Sequence, residues 1–209
     1  MLKIIGINGA PNKGGTVDQL VSFIMNSIDS EQKETVFLRE QRINCCLGCL
    51  NCIQTNRCVQ QDDWDSIQSK LMDADVLVLG APTYFSGALG INALTHLFLE
   101  RWFALRHLGV KLKLKKIVLA LASANGVVEP AVNGLRTFFE VYHGLPEVEI
   151  VIAQGTMPCM VCGVGETCQI SGFIRHYGEG AKITSDVLPA LSKQMEVISQ
   201  ARTIATNIM

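Results

Sequence analysis

No stretch of this 209-residue chain is long and apolar enough to cross a bilayer. The longest apolar runs, around residues 76–81 and 117–122, are strand-sized, far short of the roughly 20 residues a spanning helix needs. Residues 1–7 are too short and too weakly basic to read as a signal peptide. Charge of one sign is also missing. Eighteen Lys and Arg against nineteen Asp and Glu leave a net charge of −1, with no basic footprint for nucleic acid. Charged residues are scarce, at 18% against 48% apolar, which excludes a disordered chain or a coiled coil. Eight cysteines are too few for a secreted disulfide scaffold. No internal domain break, low-complexity run or repeat period interrupts the chain. These absences leave one cytoplasmic globular domain spanning residues 1–209.

What is present alternates between two periodicities. Residues 2–8, 35–38, 75–80, 117–122 and 148–152 are short, β-branched apolar runs that read as buried strands. Between them lie stripes of helical period. Thr16 opens one with Val17, Leu20, Val21, Ile24, Met25 and Ile28. Asp62 is placed to cap a second, carrying Trp64, Ile67, Leu71 and Met72. A third runs from Gly90 to about Leu108, with Ile91, Leu94, Leu97, Phe98, Trp102 and Leu105 inward. A fourth starts at Pro130 and buries Val132, Leu135, Phe138, Phe139 and Tyr142. A last helix follows Asp186, with Pro189 in its first turn and Leu191, Met195, Ile198 and Ala205 on its buried side. Strands alternating with helices, and central strands that are apolar throughout, predict an α/β fold with both sheet faces covered. The predicted architecture is a doubly wound five-stranded parallel sheet of order 2-1-3-4-5, rather than the six-stranded dinucleotide order.

In such a sheet, ligands bind beyond the carboxyl ends of the strands. Three loops are expected there. Gly9, Ala10, Asn12, Gly14, Gly15 and Thr16 belong to the first, a strand-to-helix turn whose free N–H groups and helix dipole suit an anion. Its spacing nearly spells a Walker A loop, but Gly15 stands where the phosphate-gripping lysine belongs, and no G-x-G-x-x-G is present. An NTPase and a standard NAD-binding domain are therefore disfavoured. The second loop contains Pro82, Thr83, Tyr84, Phe85 and Gly87, offering a flat apolar wall with backbone donors for a planar heteroaromatic ring. Core packing of at least one of Tyr84 and Phe85 is the plainer expectation. Ser123, Asn125 and Gly126 supply small and polar residues in the third.

The cysteines are grouped. Cys46, Cys49, Cys52 and Cys58 form C-x2-C-x2-C-x5-C, with Cys45 an adjacent bystander. In a reducing compartment such clusters are metal ligands or redox groups. Zinc sites usually pair two C-x2-C knuckles across a longer spacer. Thiols at successive i, i+3 spacing instead match the loop that wraps a cubane. An iron–sulfur cluster, a zinc ion and free thiols all stay open. A second group, Cys159, Cys162 and Cys168, offers three thiols in a Gly163/Gly165 loop. Cys45, Glu166 or His176 are candidates for a fourth ligand of a second metal centre, with reduced thiols or a redox pair as alternatives. The four histidines, His96, His107, His143 and His176, otherwise read as surface or packing residues.

The combination of Gly9-Ala10-Pro11-Asn12, the compact cysteine run, Asp62-Asp63 and Pro82-Thr83-Tyr84 resembles the iron–sulfur flavoprotein family, a branch of the NADPH-dependent FMN reductase-like flavoproteins. The resemblance implies a flavodoxin-like fold with a cysteine-rich loop after strand 2. It implies FMN contacts from Ala10, Asn12, Thr16, Pro82, Tyr84, Phe85 and Gly87, and a [4Fe–4S] cluster on Cys46, Cys49, Cys52 and Cys58. It implies a flavin-dependent oxidoreductase linking one-electron and two-electron partners, with ferredoxin or NAD(P)H as donor and a small-molecule acceptor. A homodimer or homotetramer is implied, in which cluster and flavin meet across an interface. Asn12 replaces the usual arginine of the phosphate loop, and Gly15 the usual asparagine. Competing readings are an NAD(P)H-dependent flavin or quinone reductase without a cluster, and a zinc-stabilised redox sensor that performs no catalysis.

Overall fold

The structure is a computed structural model that describes residues 2–109 and 112–208. Five strands, β1 (Ile4–Asn8), β2 (Lys33–Phe37), β3 (Val76–Pro82), β4 (Lys116–Ser123) and β5 (Val148–Gln154), form one parallel sheet of order β2-β1-β3-β4-β5. The expected topology holds. No described helix is long and apolar enough to cross a membrane.

Period-two alternation sends each strand's side chains to two separate cores. Ile5, Leu77, Ile117 and Val148 stand side by side in register and face one core. There α2 (Trp64–Asp73), α3 (Ala93–Arg101) and α4 (Glu129–Arg136) contribute Trp64, Phe98 and Leu135, and Trp102 and Phe139 join them. The edge-to-face chain Trp64–Phe98–Trp102–Phe139 runs through this layer. On the opposite face Ile4, Val76, Val78, Val118, Ala120 and Val151 meet α1 (Thr16–Ser27) and α6 (Met195–Thr206). That second layer is thin because its sheet side chains are small. At Gly80, an added Cβ would lie 2.2 Å from Val21 Cγ2 of α1 and 3.0 Å from Val17 Cγ1.

Three predicted elements change at their ends. The helix starting near Pro130 turns into a π-helix at Thr137–Tyr142. The wider turn shifts the phase of the stripe, so Phe139 is buried while Tyr142 is exposed. The helix from Gly90 is α only over Ala93–Arg101, then tightens to a 3₁₀ turn at Trp102–Leu105, which keeps Trp102 and Leu105 buried. The C-terminal helix starts at Met195, not after Asp186. Pro189 precedes a 3₁₀ turn, Leu191–Lys193, that buries Leu191, while Met195 is exposed. A short helix, α5 (Gly172–Tyr177), capped by Ser171, lies in the long segment after β5.

The close approach of α1 to β3 is directly testable. Gly80→Ala is expected to lower stability by about 1–3 kcal/mol through overpacking. In a Val21→Ala background most of that cost should vanish, read from urea unfolding midpoints. Equal costs in both backgrounds would locate the strain elsewhere.

Candidate functional site

Because all five strands are parallel, their carboxyl ends share one edge, and the three expected loops meet there. The Gly9 N–H donates to the Gly80 carbonyl (2.8 Å), and Asn92 Nδ2 donates to the Gly9 carbonyl (2.8 Å). The Thr83 N–H donates to the Ala122 carbonyl (2.9 Å), joining the second loop to β4. Gly87, with φ +75°, packs where an added Cβ would lie 3.3 Å from both the Val127 carbonyl and Pro130 Cδ. The second and third loops are therefore in contact.

Gly9 and Ala10 are buried, Gly15 and Thr16 half-buried, and Asn12 and Gly14 exposed. Gly15 is the N-cap of α1, and no side chain caps the helix there. The first-turn N–H groups are thus free of side-chain caps at the edge where a phosphate would sit. Pro82 is half-buried and Thr83 buried, its hydroxyl on the Ala122 carbonyl. Tyr84 and Phe85 are 43% and 75% exposed, so the core-packing expectation fails for both. Phe85 also has φ +52°, a left-handed conformation that turns the chain sharply at the loop tip. Ser123 is buried with its hydroxyl 3.0 Å from Asn125 Oδ1 and from the Val127 carbonyl, and Gly126 makes the exposed turn.

Three residues absent from the sequence reading organise the first loop. Buried Asn8 accepts from the Ala10 N–H (3.0 Å) and donates to Asp18 (2.8 Å). Asp18 also accepts from the Gly14 N–H (2.7 Å) and from Arg39 Nη1 (2.9 Å). Burial works against the Asp18 charge but is outweighed by the Gly14 N–H and the Arg39 guanidinium, which hold its carboxyl below the usual range. Asp18 lies beside the apolar stripe of α1 without interrupting it, and its position carried no signal. Arg39 comes from the 3₁₀ turn Leu38–Glu40 that follows β2 and carried none.

The cysteine-rich loop joins β2 to α2 and is closed at its base by the two aspartates. Asp62 accepts from the Asn44 N–H (2.9 Å) and from the first N–H of α2, that of Trp64 (3.1 Å), although the N-cap position itself falls on Asp63. Asp63 accepts from the Arg42 N–H (2.6 Å). Arg101, at the end of α3, grips Asp62 with both terminal nitrogens (2.6 and 3.1 Å) and donates to the Asn44 carbonyl (2.9 Å). Inside the loop, buried Gln68 accepts from Trp64 Nε1 (2.9 Å) and the Cys58 N–H (3.4 Å) and donates to the Asn56 carbonyl. Cys46, Cys49, Cys52 and Cys58 all line a single cavity with Arg101, Phe103 and Ala104. Cys52 is buried, Cys58 half-buried, and Cys45, Cys46 and Cys49 exposed. Burial pushes the Cys52 thiol pKa up, and the Cys58, Cys46 and Cys49 sulfurs around it add to the shift. His107 Nε2 lies 3.4 Å from Cys52 Sγ, a contact its sequence position did not announce. Among the described residues no three His, Cys, Asp or Glu side chains converge as a single-ion site requires.

The second cysteine loop follows β5 and reaches the same sheet edge. Met157, Met160 and Phe173 form a small core against which Ala124 of the third loop and Cys159 pack. Cys159 Sγ accepts from the Gly172 N–H (3.3 Å) at the start of α5. The Gly172 and Phe173 N–H groups hold its pKa below the usual thiol value. Cys162 is exposed and turns its thiol to the Cys159 carbonyl, and Cys168 is half-buried. Glu166, a candidate fourth ligand, is engaged by Lys182 and the Ile183 N–H, and the His176 ring packs on Tyr177.

Residues 2–154 match the family described as NADPH-dependent FMN reductase. The chain is 34% identical over 145 residues to an iron–sulfur flavoprotein of Methanocaldococcus jannaschii, covering 68% of this chain and 73% of that protein. It is 28% identical over 149 residues to an iron–sulfur flavoprotein of Methanosarcina thermophila, covering 69% and 75%. Among solved structures, an NAD(P)H:quinone oxidoreductase from Methanothermobacter marburgensis superposes with TM-score 0.65 at 12% identity, covering 99% of this chain and 96% of that one. An azoreductase from Bacillus anthracis superposes with TM-score 0.59 at 15% identity, covering 100% and 98%. These two likenesses carry the fold alone. By the family match, the curated relatives and the flavodoxin-like sheet, this chain belongs to the iron–sulfur flavoprotein branch of the NADPH-dependent FMN reductase-like family, and is a flavin-dependent oxidoreductase.

Proposed function

We propose that this oxidoreductase carries FMN at the sheet edge and a [4Fe–4S] cluster on Cys46, Cys49, Cys52 and Cys58, and passes electrons between them. The observation that carries the reading is the common cavity lined by all four cysteines of the compact motif. The donor set fits a cluster. The four thiols line one cavity, and cysteine thiolates are the ligands such clusters take. A buried cation, Arg101, stands beside them to offset negative charge.

FMN exchanges electrons singly or in pairs and the cluster one at a time, so a protein holding both links two-electron and one-electron partners. The chain's own residues supply position. Gly15 and Thr16 at the start of α1, with Asn12, would hold the phosphate, and Ala10, whose own N–H is taken by Asn8, would frame the turn. Asp18, Asn8 and Arg39 keep that loop in shape. Tyr84 and Phe85 provide the flat wall, Gly87 lets the backbone come close, and Ser123, Asn125 and Gly126 close the third side. No side chain is assigned as a general base. The family match supports NAD(P)H as donor, with ferredoxin the alternative and a small molecule as acceptor. Exposed Leu47, Leu50 and Val59 on the cysteine loop, and Tyr84, Phe85 and Leu89 at the flavin edge, support a homodimer or homotetramer that covers them. Cys159, Cys162 and Cys168 are the candidate ligands of a second metal centre.

Anaerobic purification followed by flavin, iron and acid-labile sulfide assays tests the reading. FMN with about four irons per chain supports it. A colourless protein holding zinc, or a yellow one without iron, overturns the cluster.

Gly15→Asp puts a carboxylate where the phosphate would lie. An added Cβ there is 3.4 Å from the Asn12 carbonyl, an ordinary contact, and Asp is a good N-cap. The melting temperature should hold while flavin content falls at least tenfold. Full flavin content would reject the phosphate site.

Cys49→Ala should abolish iron, sulfide and brown colour while most FMN stays bound, because Cys49 is exposed and on a different loop. Full iron content in this variant would reject the ligand set. Iron or zinc in excess of one cluster, lost on Cys162→Ser, is the expected signature of the second centre. About four irons and no zinc in a fully loaded sample would leave that loop metal-free.

A further inference from the structure

Arg101 is buried more completely than its pairing explains. Its side chain is 0% exposed and that of its partner Asp62 only 3%. Both terminal nitrogens are engaged, on the two Asp62 oxygens and the Asn44 carbonyl. The Nε–H is not. Among the described residues, Arg101 Nε is the one buried side-chain nitrogen or oxygen without a hydrogen-bond partner. Leaving a buried donor unmet costs about 1–3 kcal/mol, and more on a charged group. Native proteins rarely leave such a group unmet, and each instance calls for an explanation such as a redox role or a bound group.

The surroundings say what that acceptor is. Trp64 covers one side of the guanidinium, its ring centroid 5.7 Å away. Arg101 also borders the cavity lined by the four thiols, whose other walls are largely apolar, Leu47, Leu50, Phe103 and Ala104 among them. Burial opposes the charge on Arg101, but Asp62 and the adjacent Cys58 sulfur hold it firmly protonated. A permanently charged donor beside a cavity ringed by sulfur selects a soft, anionic acceptor.

We propose that Arg101 donates its Nε–H to a sulfur, thiolate or bridging sulfide, of the iron–sulfur group held by the four cysteines, and thereby raises that group's reduction potential. The inference rests on the cluster reading above. A cationic N–H stabilises the reduced cluster, which carries one more negative charge, more than the oxidised one, and hydrogen bonds to sulfur are a recognised lever on cluster potential. Arginine is required because its fork can hold Asp62 while a third N–H direction remains free, which a lysine ammonium cannot reproduce with the same geometry.

The test compares Arg101→Lys, Asp62→Asn and wild-type protein, each purified anaerobically and titrated by electron paramagnetic resonance and visible absorption. Arg101→Lys keeps a cation for Asp62 and should load wild-type iron and sulfide. Its cluster midpoint should shift to more negative potential, with the FMN midpoint in the same sample unmoved. Asp62→Asn, which weakens the loop base and removes a negative charge but leaves Nε in place, should lower the melting temperature and move the cluster midpoint, if at all, to more positive potential. A fully loaded Arg101→Lys protein with an unmoved midpoint overturns the inference. So does an Asp62→Asn protein whose midpoint falls as far, since Arg101 would then act only through the fold. If Arg101→Lys does not fold, Arg101→Gln combined with Asp62→Asn replaces the ion pair by two neutral amides. Its midpoint, set against Asp62→Asn alone, decides in the same way. Wild-type protein without iron and sulfide overturns the cluster reading, and this inference with it.

Discussion

The buried pair between Asp62 and Arg101 holds the cysteine-rich loop to the rest of the molecule. Two charges out of water are expensive, and breaking such a pair by removing one partner costs about 3–5 kcal/mol. Here the carboxylate is also held by the Asn44 and Trp64 N–H groups. One residue therefore joins the loop's entry, its exit and the end of α3. Everything between Asn44 and Asp62 is then a closed excursion whose ends cannot drift. That closure is what lets a stretch with exposed Leu50 and buried Asn56 in left-handed conformations keep four cysteines around one cavity. Asp63, which accepts from the Arg42 N–H, doubles the closure.

The parallel sheet imposes the second constraint. Because every strand runs the same way, each strand-to-helix loop emerges at the same edge, and each helix returns across a face. The two faces differ. One takes Trp64, Phe98, Trp102 and Phe139 and is thick. The other takes valine, alanine and Gly80 and lets α1 lie close. Close packing of α1 places its N-terminus beside Gly9 and Gly14, where Asp18 can reach back to order the turn. The first loop is thus shaped by a packing choice on β3 and by an arginine from the turn that follows β2. Neither is a neighbour in the chain.

Much of this was legible in order. The strands and their sequence order followed from apolar runs, since a run buried on both faces needs no alternation to be recognised. Helix stripes were legible wherever the period stayed near 3.6. They misled where it changed: the π-turn at Thr137–Tyr142 exposes Tyr142, and the 3₁₀ turn before α6 moves the start of the last helix to Met195. Tyr84 and Phe85 were ambiguous for a different reason. An aromatic residue after a central strand serves equally as core or as ligand wall, and only its exposure separates the two.

By itself, the sequence determined the sheet order, the three loops at one edge and the compact cysteine spacing, because each depends on local pattern and on rules of chain handedness. Its family followed from the same motifs. Tertiary structure alone decided that Arg101 meets Asp62, that Gln68 positions Cys58, that His107 touches Cys52 and that Arg39 supports the first loop. These are contacts between polar residues far apart in the chain. A buried polar group has no periodicity of its own, and its partner is set by where the packed elements bring two side chains within hydrogen-bonding distance.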